Sequence, residues 1–138
     1  MNQEKTIEWF LRISLSIGFL SAVADRFGLW DKELSAWGNW GAFAKYTNSL
    51  MPFLSYNLAS IVGGIATFLE IAFAIALLTN FKSEFIAKCS GVLLLIFGVS
   101  MAITLNCKAP LDYSVFTASA GAFALSILIK KNSQKNIA

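Results

Sequence analysis

Two charged residues stand where an apolar chain tolerates charge least. Glu70 lies within about two residues, or roughly 3 Å, of the middle of an apolar stretch covering residues 57–79. Arg12 lies inside an earlier apolar stretch, residues 7–24. An ionisable side chain near the centre of a bilayer costs about 3 kcal/mol or more unless it is paired, protonated or hydrated. The two positions fall at similar depth, within roughly 3 Å along the membrane normal, so the expectation is an Arg12–Glu70 ion pair facing a bundle interior. Such a pair can relay a proton or meet a ligand, or it can fix helix register and do no chemistry. Both readings are open at this point.

A second polar group flanks the apolar stretches. Asp25 and Arg26 follow the first, and Lys108, Asp112 and Tyr113 border the last. Both segments fall on the same side of the expected topology, so they are expected to meet. A positive, aromatic-rimmed mouth can hold an anion or the head of a quinone, with Tyr113, Arg26 or Lys108 donating to a ring oxygen. The alternative is an interfacial salt-bridge network with a snorkelling Lys108. Beside Lys108 sits Cys107, which can be read as a reactive thiol next to a cation or as a small apolar residue; Cys89 reads as the latter. The two cysteines, on one apolar stretch, are about 27 Å apart along a helix, too far to bridge. There is no CxxC pair and no histidine, which removes the usual haem ligand, the commonest zinc ligand and the default general base near neutral pH. No metal site and no intrinsic cofactor are expected, and a bound quinone is the one cofactor the polar cluster suggests.

The elements that must position these residues follow from composition. The chain has 138 residues, 57% hydrophobic and 14% charged, with a mean hydropathy of +0.64. Soluble domains carry about a quarter charged residues, so an ordinary water-soluble fold is excluded. No basic run interleaved with aromatics points to nucleic acid. The expectation is an all-α membrane protein, a single domain over residues 1–138. Its four transmembrane helices form a bundle, with spans at about 7–24, 57–79, 84–106 and 111–129. The first stretch also has signal-peptide features: Lys5 and Arg12, a short apolar core from Ile13 to Ser21, and Ala22-Val23-Ala24. Three hydrophobic stretches follow it, and a retained span is expected.

Residues 25–56 hold Trp30, Trp37, Trp40 and Pro52. Trp30, Leu34, Trp37, Gly41 and Ala44 follow helical spacing, which suggests an interfacial helix between the first two spans. A loop lending its tryptophans to the aromatic belt fits equally. Small and polar residues form a stripe on each span: Ser14, Gly18, Ser21 and Asp25; Gly63, Thr67, Glu70 and Ala74; Ser100, Thr104 and Cys107; Ser114, Thr117, Gly121 and Ala124. These stripes are expected to face inward, where close packing holds membrane helices together. Four spans put Lys5, Arg12, Lys82, Lys88, Lys130, Lys131 and Lys135 on one side and Arg26, Lys32, Lys45 and Lys108 on the other. The positive-inside rule then makes both termini cytoplasmic.

The arginine in the first span, Ala-Asp-Arg-Phe-Gly-Leu-Trp at residues 24–30, the mid-span Glu70 and above all Lys-Ala-Pro-Leu-Asp-Tyr-Ser-Val-Phe at 108–116 resemble the DoxX family of small four-span bacterial membrane proteins. The likeness covers essentially the whole chain, and the last motif is its most specific part. It implies a four-helix transmembrane bundle in the cytoplasmic membrane, with Arg12, Asp25, Arg26, Glu70, Lys108, Asp112 and Tyr113 at the family's positions. It also implies either a subunit of a thiosulfate to quinone oxidoreductase or an anchor that assembles with redox-stress enzymes. Cys107 departs from the small or apolar residue expected before Lys-Ala-Pro. The functional expectation is therefore a membrane subunit or anchor for redox chemistry that binds a quinone-like ligand; as an enzyme it would be a quinone-linked oxidoreductase subunit. The alternative is a structural module or small-solute transporter. The partners implied are the lipid bilayer, a redox enzyme and a second copy of the chain.

Overall fold

The computed structural model describes residues 2–137. The described residues form six helices: α1 (Gln3–Arg26), α2 (Trp40–Leu50), α3 (Tyr56–Leu78), α4 (Ser83–Thr104), α5 (Lys108–Asp112) and α6 (Val115–Ile137). Three starts are fixed by short polar side chains that accept an otherwise unpaired backbone N–H: Asn2 from Lys5, Asn39 from Ala42 and Ser55 from Leu58. Four long helices close a ring in the order α1, α3, α4, α6, each packing on the next and α6 returning to α1. Neighbours run antiparallel, as the cross-links show. Ser16 donates to the Ala74 carbonyl at 3.0 Å, Ser119 donates to the Gly91 carbonyl at 2.7 Å, and Lys131 reaches Glu4 at 2.8 Å. The chain start, the turn after α3 and the end of α6 thus share one end of the bundle, called here the inner end. The core gathers Leu15, Leu77, Ala87, Ala122, Leu125 and Ile129 from all four helices.

Three helices, α1, α3 and α4, are long and apolar enough to cross a membrane. The outer faces carry the large apolar residues such a setting needs, among them Phe10, Ile17, Phe68, Ile96 and Ile103, all exposed. The fourth long helix, α6, is apolar only as far as Ile129 and then reads Lys-Lys-Asn-Ser-Gln-Lys-Asn.

Several boundaries differ from those read in the sequence, each for a local reason. α1 and α6 run past residues 7–24 and 111–129 because their polar ends pair: Lys131 and Lys135 with Glu4, and Asn132 with Glu8. The last span does not start at Leu111. Asn106 accepts the Ala109 N–H at 2.9 Å and starts a separate short helix, α5, which ends at Asp112 with Tyr113 as its cap; Ser114 then adopts a left-handed φ of 54° before α6 begins. The expected helical face through Trp30, Leu34 and Trp37 does not form, because residues 27–39 are loop and the helix begins at Trp40. α2 packs on α3, with Phe43 and Thr47 closing over Gly63.

Among the expected inward stripes, the one on α3 is correct: Gly63, Thr67, Glu70 and Ala74 are all buried. In α1 the buried side is Arg12, Leu15, Ser16, Phe19, Val23, Asp25 and Arg26, so of the expected stripe only Asp25 is buried, and Gly18 meets open space. In α4 it is Ala87, Ser90, Gly91, Gly98 and Met101, and in α6 Ser119, Ala122, Leu125, Ser126 and Ile129. Small side chains predominate on the buried sides of α4 and α6 too, but at positions other than the expected ones, so residue size alone did not mark the interior.

Candidate functional site

Two buried charge centres, one toward each end of the bundle, hold most of the polar residues singled out above. The outer one joins α1 to α3. Arg26, at the last turn of α1, is buried and lies against Glu70 of α3, itself 2% exposed. The Arg26 Nη1 donates to one Glu70 oxygen and to the Thr67 hydroxyl at 2.7 Å; Nη2 donates to the other Glu70 oxygen at 3.0 Å. Thr67 in turn donates to the Gly63 carbonyl at 2.8 Å. Phe43 and Trp37 cover the guanidinium, with ring centroids 4.1 and 5.5 Å from Cζ, a geometry in which ring faces stabilise a desolvated cation. The buried Nε–H of Arg26 has no hydrogen-bond partner among the described residues.

Next to it, Asp25 organises the loop that carries those rings. Its carboxylate accepts the Ser35 hydroxyl and the backbone N–H groups of Ala36 at 2.9 Å, Trp37 at 3.2 Å and Gly38 at 3.2 Å. The loop closes on itself through Gly28 and Gly38, with φ of 71° and 74°; a Cβ on Gly28 would sit 2.9 Å from the Gly38 carbonyl oxygen. Asp25 is thus a structural hub for residues 27–39.

The inner centre is built on Arg12, 1% exposed. Its Nε and Nη2 donate to Glu8 at 2.9 and 2.6 Å, one turn back on α1. Nη1 donates to the Leu77 carbonyl at 2.8 Å, and Nη2 also reaches Asn80 at 2.8 Å and Ser83 at 2.9 Å. The second Glu8 oxygen accepts from Asn132 at 2.6 Å, which ties in α6. One guanidinium therefore joins α1, the end of α3 and the start of α4, and Glu8 extends the network to α6.

The expected Arg12–Glu70 pair is not formed. Arg12 sits level with Leu77, two turns of α3 and about 10 Å from Glu70. Matching span midpoints gave the wrong register. The expected meeting of Asp25 and Arg26 with Lys108, Asp112 and Tyr113 does not occur either. Lys108 pairs with Asp112 within α5, both exposed, and Tyr113 is 72% exposed. α5 packs on α4 and α6, not on α1. Tyr113 instead comes near Tyr46 of α2, whose hydroxyl is held above its usual pKa first by burial and then by that neighbour. Cys107 is exposed and Cys89 half-buried. The sequence reading missed Glu8, Thr67 as a charge partner, Asn80, Ser83 and Asn132. The signal available for Glu8 was its i, i+4 spacing to Arg12.

Two cavities are open to the surroundings. One, about 760 Å³, lies at the inner end beside Arg12. The other, about 450 Å³, is an apolar slot between α3 and α4, lined by Leu69, Phe73, Val92 and Ile96 among others. Neither touches Glu70. Together these features define a helical membrane-type bundle held by two internal charge networks. Comparison with protein-family models, with curated proteins and with solved structures gave no match.

Proposed function

We propose that the chain is a DoxX-like membrane module with four crossings, α1, α3, α4 and α6, in a bacterial cytoplasmic membrane, and that it serves as a membrane subunit or anchor. In this reading its buried charges build the bundle and do not turn over substrate. The observation that carries it is the closed Arg26–Glu70 pair. Both Glu70 oxygens are taken by one guanidinium under an aromatic cover. Glu70 is also buried, so neither of its oxygens is presented to a substrate from the surroundings. The distribution of basic residues between the two ends supports cytoplasmic termini, and the apolar outer surface supports the bilayer as surroundings.

The side chains expected to grip a quinone at the outer end do not converge on a ring: Arg26 is committed to Glu70, and Lys108 and Tyr113 are exposed on another element. A second reading, a quinone-binding subunit for a redox-enzyme partner, is favoured by one feature, the apolar slot between α3 and α4 with Lys88 at its end. Small-solute carriage needs a polar path to Glu70, and neither cavity supplies one.

The test is turnover by the purified chain in detergent with a soluble quinone and thiosulfate or a thiol as donor, alongside Glu70→Gln. No turnover in either is expected. Turnover that disappears in Glu70→Gln at unchanged melting temperature would overturn the anchor reading. A stoichiometric quinone extracted from protein purified out of its membrane would favour the second.

A further inference from the structure

The inner cavity and the apolar slot adjoin at Phe85 and Lys88, which line both. Their chemistry differs sharply. The cavity is walled by five cations, Lys5, Arg12, Lys82, Lys88 and Lys135, against the two carboxylates Glu8 and Glu84. Arg12 is taken by Glu8, Lys88 by Glu84 and Lys135 by Glu4. Lys5 and Lys82 have no ion-pair partner among the described residues, so the cavity keeps an unneutralised positive charge. The start of α4 opens into it, and its cap residue Lys82 contributes no side-chain hydrogen bond. Those N–H groups, at the positive end of a 22-residue helix, add to the same field.

The slot runs from Phe85 to Ile96 along α4, and its lining is wholly apolar apart from Lys88. That stretch of helix spans about 16 Å, roughly half of a ~30 Å hydrocarbon core, the depth of one leaflet.

We propose that the inner cavity and the α3–α4 slot form one binding site for an anionic phospholipid of the adjacent leaflet, its phosphate headgroup held by Lys5, Lys82 and the start of α4 and one acyl chain lying along Phe73, Val92 and Ile96. The proposal rests on the reading that the bundle crosses a bilayer. A neutral quinone head would leave the two lysines uncompensated, and a free phosphate would leave the slot without a role. An anionic lipid satisfies both halves at once. Bound there it covers the junction of α1, α4 and α6 and the exposed aromatic Phe85.

The full chain in detergent is tested by native mass spectrometry with added phosphatidylglycerol and, separately, phosphatidylcholine. One retained phosphatidylglycerol per chain is expected, in preference to phosphatidylcholine. Replacing the two exposed lysines in Lys5→Gln/Lys82→Gln should weaken retention by about thirty-fold, the effect of two basic residues near an anionic lipid surface, and Lys5→Arg/Lys82→Arg should restore it. Val92→Trp, which fills the slot, should release the lipid while leaving the melting temperature within a few degrees. Equal retention of both lipids, or unchanged retention in the lysine and slot variants, overturns the site. Displacement by millimolar inorganic phosphate that persists in Val92→Trp would show a soluble anion as the occupant, and displacement by a quinone would show a neutral one; either overturns the lipid assignment. A chain that stays dispersed in buffer without detergent would overturn the membrane reading itself, an outcome separate from the loss of lipid preference.

Discussion

Side chains on a helix lean back toward that helix's own amino terminus, and in this bundle that rule decides which charges meet. α1 and α3 run antiparallel, so Arg26 leans inward from the outer end of α1 while Glu70 leans outward along α3, and the two converge. Arg12 leans toward the start of α1 and finds Glu8. The pairing has consequences for stability. Glu70→Ala leaves a buried guanidinium without its counter-charge and should cost about 3–5 kcal/mol, whereas Arg26→Met/Glu70→Leu removes both charges and should cost less than either single change. Denaturant unfolding in detergent reads this, and additive losses from Arg26 and Glu70 would contradict it. Arg12 and Glu70, separated by about 10 Å along the axis and sharing no partner, should by contrast give losses that add within about 0.5 kcal/mol.

At the scale of elements, the α4–α6 contact depends on two notches. A Cβ on Gly91 would meet the Phe123 ring at 2.9 Å, and one on Gly98 would meet the Phe116 ring at 2.8 Å. Both pairs are seven residues apart on their own helices, so two rings on α6 seat in two notches on α4 in strict antiparallel register. Gly91→Ala should destabilise by about 1–3 kcal/mol through overpacking, and Phe123→Leu in the same chain should recover part of the loss; a thermal melt of the four variants measures it. The loop between α1 and α2 depends on one carboxylate in the same way. Asp25→Ala strands the N–H groups of Ala36, Trp37 and Gly38 and should cost about 1–3 kcal/mol, with new protease cleavage confined to residues 27–39. The long apolar elements and the inward face of α3 were legible in the sequence, because run length and helical spacing report them directly. The glycine notches were not singled out, since what makes them matter is a ring on a distant helix. The Asp25 hub was not legible either, because three of its four partners are backbone groups that carry no residue signature. The Arg26–Glu70 pair required the helix register, which depth matching does not provide.

For the whole molecule, the question that composition leaves to physics is α6. Its apolar run, Val115 to Ile129, covers about 22 Å at helical rise, short of a ~30 Å hydrocarbon core. Two features make up the difference. Lys130 and Lys131 can extend their charges to the interface past their own apolar stems, and Lys131 and Lys135 are drawn there by Glu4 at the matching end of α1. In the proposed four-crossing arrangement α6 crosses with its neighbours although it is less apolar than they are, and the ion pairs of Glu4 with Lys131 and Lys135 link the first and last helices at the inner end. Thiol labelling with a membrane-impermeant maleimide tests this in intact cells. Cys107 is exposed at the outer end and should react from outside, whereas a Lys135→Cys/Cys107→Ser chain should react only after permeabilisation. If both positions label from the same side, α6 does not cross, and the ring of four helices would have to sit in the membrane with its α6 face at the interface.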